Sequence, residues 1–156
     1  MLQPIRYHFS HPFKISARQA YAWCTDFTPE DQALMQEENA TREIQHVSEG
    51  TVILVDTYRT GGKAVVKQKL VCMFPEKVTW TSTHLTGPYR YSQFLYQITP
   101  ETDRTCCLEF TANFLDYTKK DADKAEIEKL AREEHGIDAD NWRLLAGIME
   151  KEINKK

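Results

Sequence analysis

No run of this sequence approaches the roughly 20 consecutive apolar residues that a membrane-spanning helix needs. The opening MLQPIRYHFSHPF has no uninterrupted apolar stretch of the signal-peptide kind. A cytoplasmic protein that does not span a membrane is therefore expected. Charge of one sign is missing too. Lys and Arg number 20 against 23 Asp and Glu, a net charge of −3 with the signs interspersed. That argues against a nucleic-acid partner or an anionic-membrane surface. Cysteine is sparse, and Cys24, Cys72, Cys106 and Cys107 form no CxxC and no Cys/His cluster with zinc spacing. Cys106 and Cys107, as neighbours on a strand, point to opposite faces. All four are expected to pack as small reduced hydrophobes. GxGxxG, P-loop, GxSxG and HExxH patterns are absent. Gly61-Gly62-Lys63 lacks the rest of a phosphate loop and reads as a hairpin turn. No cofactor and no metal site is expected. Linkers, repeats and low-complexity segments are also lacking, so residues 1–156 are expected to form one domain.

What is present is periodicity. Residues 4–13 alternate, with Ile5, Tyr7, Phe9, His11 and Phe13 on one side, which predicts a strand. SARQAYAWCTDF follows. Ser16 and Gln19 form a capping-box pattern, and Ala20, Trp23, Cys24 and Phe27 make one helical stripe. TPED predicts a second short helix, with Thr28 as N-cap and Pro29 at its first position, running to about Met35. From about Thr41 to Tyr117 the period is two. SEGT, TGGK, FPEK, LTGP and TPETD interrupt it and divide it into six strands joined as a meander. KKDADKAEIEKLAREEHG then predicts a helix ending at Gly136. Asp138 can cap a last helix through Trp142, Leu145, Ala146, Met149 and Ile153, whose apolar stripe needs a partner. The sheet is the large surface available to it.

Turn lengths predict which residues face one another. A two-residue loop at Gly61-Gly62 sets Thr60 against Lys63, Thr57 against Val66, Val55 against Gln68, Ile53 against Leu70 and Asp56 against Lys67. Odd loops at FPEK, LTGP and TPETD then build three inward rows. The first is Ile53, Leu70, Trp80, Phe94 and Phe110. The second is Val55, Gln68, Ser82, Ser92 and Ala112. The third is Thr57, Val66, His84, Arg90 and Phe114. The other face carries Thr79, Thr81, Thr83, Gln93, Gln97, Glu109, Thr111, Asn113, Lys67 and Lys69, with Leu54, Leu95 and Val71 as apolar exceptions, and is expected to face water. The inward face is thus greasy at one end and polar at the other. A buried polar group without a partner costs about 1–3 kcal/mol. Adjacent rows of Gln, Ser, His and Arg therefore suit a cavity better than a sealed core.

This element order, with the entry segment FKISARQAYAWCTDF, resembles the helix-grip superfamily. That group includes START lipid-binding domains, the major birch-pollen allergen, polyketide cyclases/aromatases and ubiquinone-binding proteins. The resemblance spans essentially the whole chain and implies an α+β fold. A curved seven-stranded antiparallel sheet wraps a long C-terminal helical segment, with two short helices between the first two strands. The His135-Gly136 break leaves open whether one helix or a helix pair lies over the sheet. The resemblance implies a hydrophobic ligand held between sheet and helix.

Three functions are weighed. The first is binding or transport of a small amphipathic, mainly hydrophobic molecule such as a lipid, polyketide or quinone. Leu70, Trp80, Phe94, Phe110, Trp142 and Met149 would enclose its body, while Gln68, Ser82, Ser92, His84 and Arg90 orient its polar end. The second is a cyclase/dehydratase- or hydrolase-type enzyme in the same cavity. There His84 would transfer protons and Arg90 would stabilise developing negative charge. The third is an interaction or regulatory module with a filled cavity, docking through DADKAEIEKLAREEH. A continuous cavity of several hundred Å³ would favour the first two. His11 and His46 can also face inward, and are expected as hydrogen-bonded core residues.

Overall fold

The computed structural model describes residues 2–34 and 39–155. β1 (Ile5–Phe13) buries Ile5, Tyr7, Phe9 and Phe13 on one face. Ser16 stops the strand and starts α1 (Ala17–Thr25). Its Oγ accepts the Gln19 N–H at 3.2 Å, and the Gln19 side chain accepts the Ser16 N–H at 3.2 Å, completing the capping box. α2 (Asp31–Leu34) is a single turn. Thr28 and Pro29 precede it instead of opening it. The Thr28 hydroxyl donates to Asp31 Oδ1 at 3.0 Å, so it braces the turn from outside. The expected end at Met35 lies outside the described residues.

The remaining strands are β2 (Ala40–Ser48), β3 (Thr51–Thr60), β4 (Lys63–Phe74), β5 (Thr79–His84), β6 (Gln93–Pro100) and β7 (Cys106–Phe114). All neighbours are antiparallel, in the order β1-β7-β6-β5-β4-β3-β2. α3 (Lys124–Asn154) lies over the concave face. At 1.5 Å per residue its 31 residues span about 46 Å. The fold is α+β, with two short helices between the first two strands.

Gly136 does not break α3. A glycine inside a helix costs about 1 kcal/mol relative to alanine. Apolar contacts on both sides of it offset that cost. Ile127, Leu130 and Ala131 before it, and Ala139, Trp142, Ala146 and Met149 after it, all pack on the sheet. Asp138 caps nothing. Asp123 is the true N-cap, accepting the Glu126 N–H at 2.8 Å.

The register matches expectation across the Gly61-Gly62 turn and departs at the turns that follow. Between β3 and β4, Thr60 faces Lys63, Asp56 faces Lys67 and Ile53 faces Leu70, as predicted. Gly61 and Gly62 both take positive φ there. The turn after β4 is even, not odd. Pro75–Lys77 form a 3₁₀ turn closed by the Val78 N–H on Pro75 O, and Val78 itself takes φ 43°. A β-branched residue rarely adopts that conformation. Four residues thus separate Phe74 from Thr79, and Trp80 faces Met73 in place of Leu70.

One changed parity turns β3 and β4 over relative to β5. Val52, Leu54, Asp56 and Val71 are buried on the concave side. Gln68 and Leu70, expected inward, are on the convex side, and so are Ile53, Val55, Thr57 and Val66. The expected water-facing Lys67, Lys69, Leu54 and Val71 look inward instead. β6 keeps its expected face but slips by two residues, so Trp80 faces Tyr96 and Ser82 faces Phe94. A bulge at Tyr91 (φ 68°) produces the slip: His84 O accepts the Tyr91 N–H while His84 N–H bonds to Ser92 O. β7 keeps its expected row, since Phe110 pairs with Tyr96 and so stays level with Trp80.

The core is two apolar clusters. One gathers Phe13, Ile15, Leu54, Val71, Trp80, Leu108 and Met149, and the other Ile5, Phe9, Phe94, Phe110 and Phe114. Tyr96 and Trp142 touch both.

Candidate functional site

Between the concave face and α3 lies a cavity of about 1000 Å³. Its apolar wall is aromatic. Trp80 is 4% exposed and stacks on Tyr96, with ring centroids 4.8 Å apart and planes 2° from parallel. Trp142 closes on both from α3, at 6.5 Å and 5.8 Å. Phe94, Phe110 and Phe114 continue the wall. Exposed Glu30, Thr60 and Val65 also border the volume, placing its mouth between α2 and the β3–β4 hairpin.

The inverted β3 and β4 give one end of this cavity a charged lining. Asp56 is 0% exposed. Arg42 grips it from β2, Nε to Oδ1 at 2.7 Å and a terminal nitrogen to Oδ2 at 3.0 Å. The other terminal nitrogen of Arg42 reaches Asp31 Oδ2 at 2.9 Å. Lys69 Nζ adds a third bond to Asp56, at 3.1 Å. Burial alone would lift the Asp56 carboxyl, but hydrogen bonds from Arg42 and the charge of Lys69 outweigh it and hold it below the ordinary range. Lys69 is pulled down by burial and then by Arg42, against the opposing pull of Asp56.

His84 stands across from Lys69 on β5 and packs its ring 5.2 Å from Phe94. Burial first, then Lys69 and Lys67, lower its pKa to about 4, so it is neutral at pH 7. Ser82 lies two residues back on the same face, 7% exposed. Among the described residues, neither Ser82 Oγ nor a His84 ring nitrogen has a hydrogen-bond partner, yet no buried side-chain polar atom there lacks one. Both groups therefore open onto the cavity. The opposite wall is acidic. The Tyr7 hydroxyl donates to Asp138 Oδ2 at 2.5 Å. Burial raises Asp138, and burial together with Asp138 raises Glu134.

Of the residues singled out from sequence, Trp80, Phe94, Phe110, Trp142, Ser82 and His84 line the cavity. Leu70 and Gln68 do not, because β4 is inverted. Met149 is fully buried in packed core. Ser92 is fully buried too, and its hydroxyl is spent on Leu115, accepting that N–H at 2.8 Å and donating to that carbonyl at 3.2 Å. Arg90 stays in the β5–β6 loop, its guanidinium 3.8 Å over the Tyr117 ring and bonded to Gly87 O. The expected His84–Arg90 pair therefore does not form within the cavity. His46 is exposed on β2, while His11 is half-buried and pulled down in pKa by burial and by Arg143. Sequence reasoning missed Lys69, Lys67, Arg42, Asp56 and Asp138. The visible signal was Asp56 followed by no acid until Glu76, with Arg59, Lys63, Lys67 and Lys69 between.

No family model matches the chain, and no curated protein matches its sequence. Solved structures do match in shape. The Zhui aromatase/cyclase from Streptomyces sp. R1128 superposes with a TM-score of 0.72 at 12% identity, covering 97% of this chain and 96% of that one. Norcoclaurine synthase from Thalictrum flavum, in complex with dopamine and hydroxybenzaldehyde, gives 0.70 at 13%, covering 99% and 88%. A START superfamily protein from Mycobacterium smegmatis gives 0.67 at 14%, covering 94% and 97%. With the topology above, these similarities establish that the chain has the helix-grip fold.

Proposed function

We propose that the protein binds a small, mainly apolar and aromatic molecule in this cavity, with the molecule's polar end towards Ser82, His84 and Lys69. The observation that carries the reading is the cavity of about 1000 Å³, with Trp80, Phe94, Tyr96, Phe110, Phe114 and Trp142 along one stretch of its wall and polar groups placed around them. Pockets that combine an apolar lining with a few placed polar groups are the usual form of a small-molecule site. A module whose cavity is filled by its own aromatics is disfavoured by that volume. The similar fold of proteins named as aromatase/cyclase and norcoclaurine synthase is consistent with an aromatic occupant. The test is native mass spectrometry of freshly expressed protein, followed by solvent extraction. A co-purifying apolar compound, displaced in a Trp80→Arg variant, is expected. Bare protein whose tryptophan fluorescence responds to no member of a panel of aromatic and acyl compounds would overturn the reading.

A second reading is an enzyme of cyclase or dehydratase type in the same cavity. The unpartnered, neutral His84 favours it, with Lys69 in the place expected for Arg90 as the fixed cation. Loss of turnover of an extracted compound in His84→Ala, with binding retained, would support it. Unchanged turnover would remove His84 from the chemistry.

A further inference from the structure

We infer that the polar end of the cavity recognises an acidic oxygen, such as a carboxylate, phenolate or enolate borne on the aromatic ligand, through Lys69 with Ser82 and His84. This rests on the ligand-binding reading above and names the chemistry of the ligand's head group.

The inference follows from what the buried cations have left to give. Arg42 commits three of its five N–H donors to carboxylates, two on Asp56 and one on Asp31. It takes Oδ1 of Asp56 alone and shares Oδ2 with Lys69. An ammonium carries three donors, and Asp56 uses one of those on Lys69. The other donors have no partner among the described residues and border the cavity. A charged donor set at the border of a ligand cavity is a ready partner for a ligand oxygen. A neutral carbonyl would satisfy a donor. An anion would satisfy the donors and the charge together, through shorter and stronger bonds.

Charge around the site points the same way. Arg42 and Lys69 balance Asp31 and Asp56. Lys67, poised 5.0 Å over the Tyr58 ring, adds a third cation on β4, while Asp26 and Glu30 border the mouth beside Asp31. His84 is depressed first by burial, and Lys69 and Lys67 push its proton off further. On the far wall stand Glu134 and Asp138, which repel an anion. The two walls together set one orientation, with the acidic oxygen at β4–β5 and the rings towards Trp80 and Phe94. Ser82 adds a hydroxyl donor, and neutral His84 adds one N–H.

A matched pair of probes tests this. 8-Anilinonaphthalene-1-sulfonate and N-phenyl-1-naphthylamine share one aromatic skeleton and differ by the anion. Both are titrated by fluorescence at pH 7 into wild type, Lys69→Met and Ser82→Ala. Wild type is expected to bind the sulfonate about tenfold more tightly, the worth of a charge-assisted hydrogen bond. Lys69→Met should remove that preference and leave the neutral probe unchanged; Ser82→Ala should reduce the preference in part. Equal wild-type affinities, or a Lys69→Met loss that falls equally on both probes, would overturn the inference while leaving the cavity reading standing. Binding of neither probe by wild type would overturn both. The wild-type comparison decides the matter even if Lys69→Met does not fold.

Discussion

The Tyr7 hydroxyl donates a 2.5 Å hydrogen bond to Asp138, joining β1 to the middle of α3 across 131 positions of sequence. The bond lies two residues past Gly136, where the sequence suggested a break. It anchors the helix on the sheet beside the cavity. Burial lifts the Asp138 carboxyl above its ordinary value, and the Tyr7 bond offsets part of that. A raised native pKa means the folded state holds this proton more tightly than the unfolded chain. The contribution is complete below the unfolded value and is lost as pH rises through the native one. Asp138→Asn keeps an acceptor for Tyr7 and removes the titration. Wild-type stability relative to Asp138→Asn should therefore fall as pH rises from the unfolded value of about 4. Urea melts across that rise check it, and a constant difference would refute it.

Asp56 should be the most sensitive polar position in the sheet. Its removal leaves Lys69 with no counter-ion and Arg42 with Asp31 alone. Breaking such a pair costs about 3–5 kcal/mol. Asp56→Ala should lose that much in chemical denaturation. Asp31→Ala removes the more exposed partner of Arg42 together with the Thr28 bonds and should cost less, about 1–2 kcal/mol. Similar losses for the two variants would mean that Asp56 is not the centre of the network.

These two contacts also mark what was legible in the sequence. The meander, the capping box and the β3–β4 register were readable because Gly61-Gly62 and Ser16–Gln19 are local signals with one structural solution. The placement of Trp80, Ser82 and His84 on the inward face followed from strict alternation. The inversion of β3 and β4 was not readable. It depends on Val78 adopting a left-handed conformation that its side chain disfavours, and alternation of partly polar strands does not reveal which face is buried. With that parity hidden, Gln68 stood where Lys69 belongs, and the Arg42–Asp56–Lys69 network was invisible. The unbroken α3 was hidden for a related reason: Gly136 reads as a helix end locally, and only tertiary packing on both sides overrides it.

Ser92 and Trp80 should separate a structural role from a lining role. Ser92→Ala removes the only side-chain partner of the half-buried Leu115 N–H among the described residues. It should cost about 1–3 kcal/mol in thermal or chemical unfolding while leaving probe affinity unchanged. Trp80→Ala deletes a packed ring, stacked on Tyr96 and close to Trp142. It should cost about 3–5 kcal/mol and weaken aromatic probes as well. Weaker probe binding by a folded Ser92→Ala would place that hydroxyl in the site after all.

His84 provides a test that reads the cavity's electrostatics without any ligand. Burial, then Lys69 and Lys67, bring its pKa down to about 4. Its ring proton resonances should therefore stay constant from neutral pH down to well below the ordinary histidine range of about 6.5, then move. The linked effect on stability has a definite sign. A native pKa below the unfolded one gives a contribution fully present above the unfolded value and lost as pH falls towards the native one. Wild type should thus lose stability relative to His84→Asn as pH drops from about 6.5 to about 4. Lys69→Met removes one of the depressing charges, so the His84 midpoint should rise in that variant. A midpoint near 6.5 in wild type, or one that Lys69→Met does not move, would mean that His84 faces solvent and that the positive wall does not act on the cavity. At pH 7 the neutral ring offers one donor and one acceptor, which suits orienting a ligand oxygen. As a general base it is weak, and the enzyme reading must therefore draw its driving force from stabilisation of the developing anion by Lys69.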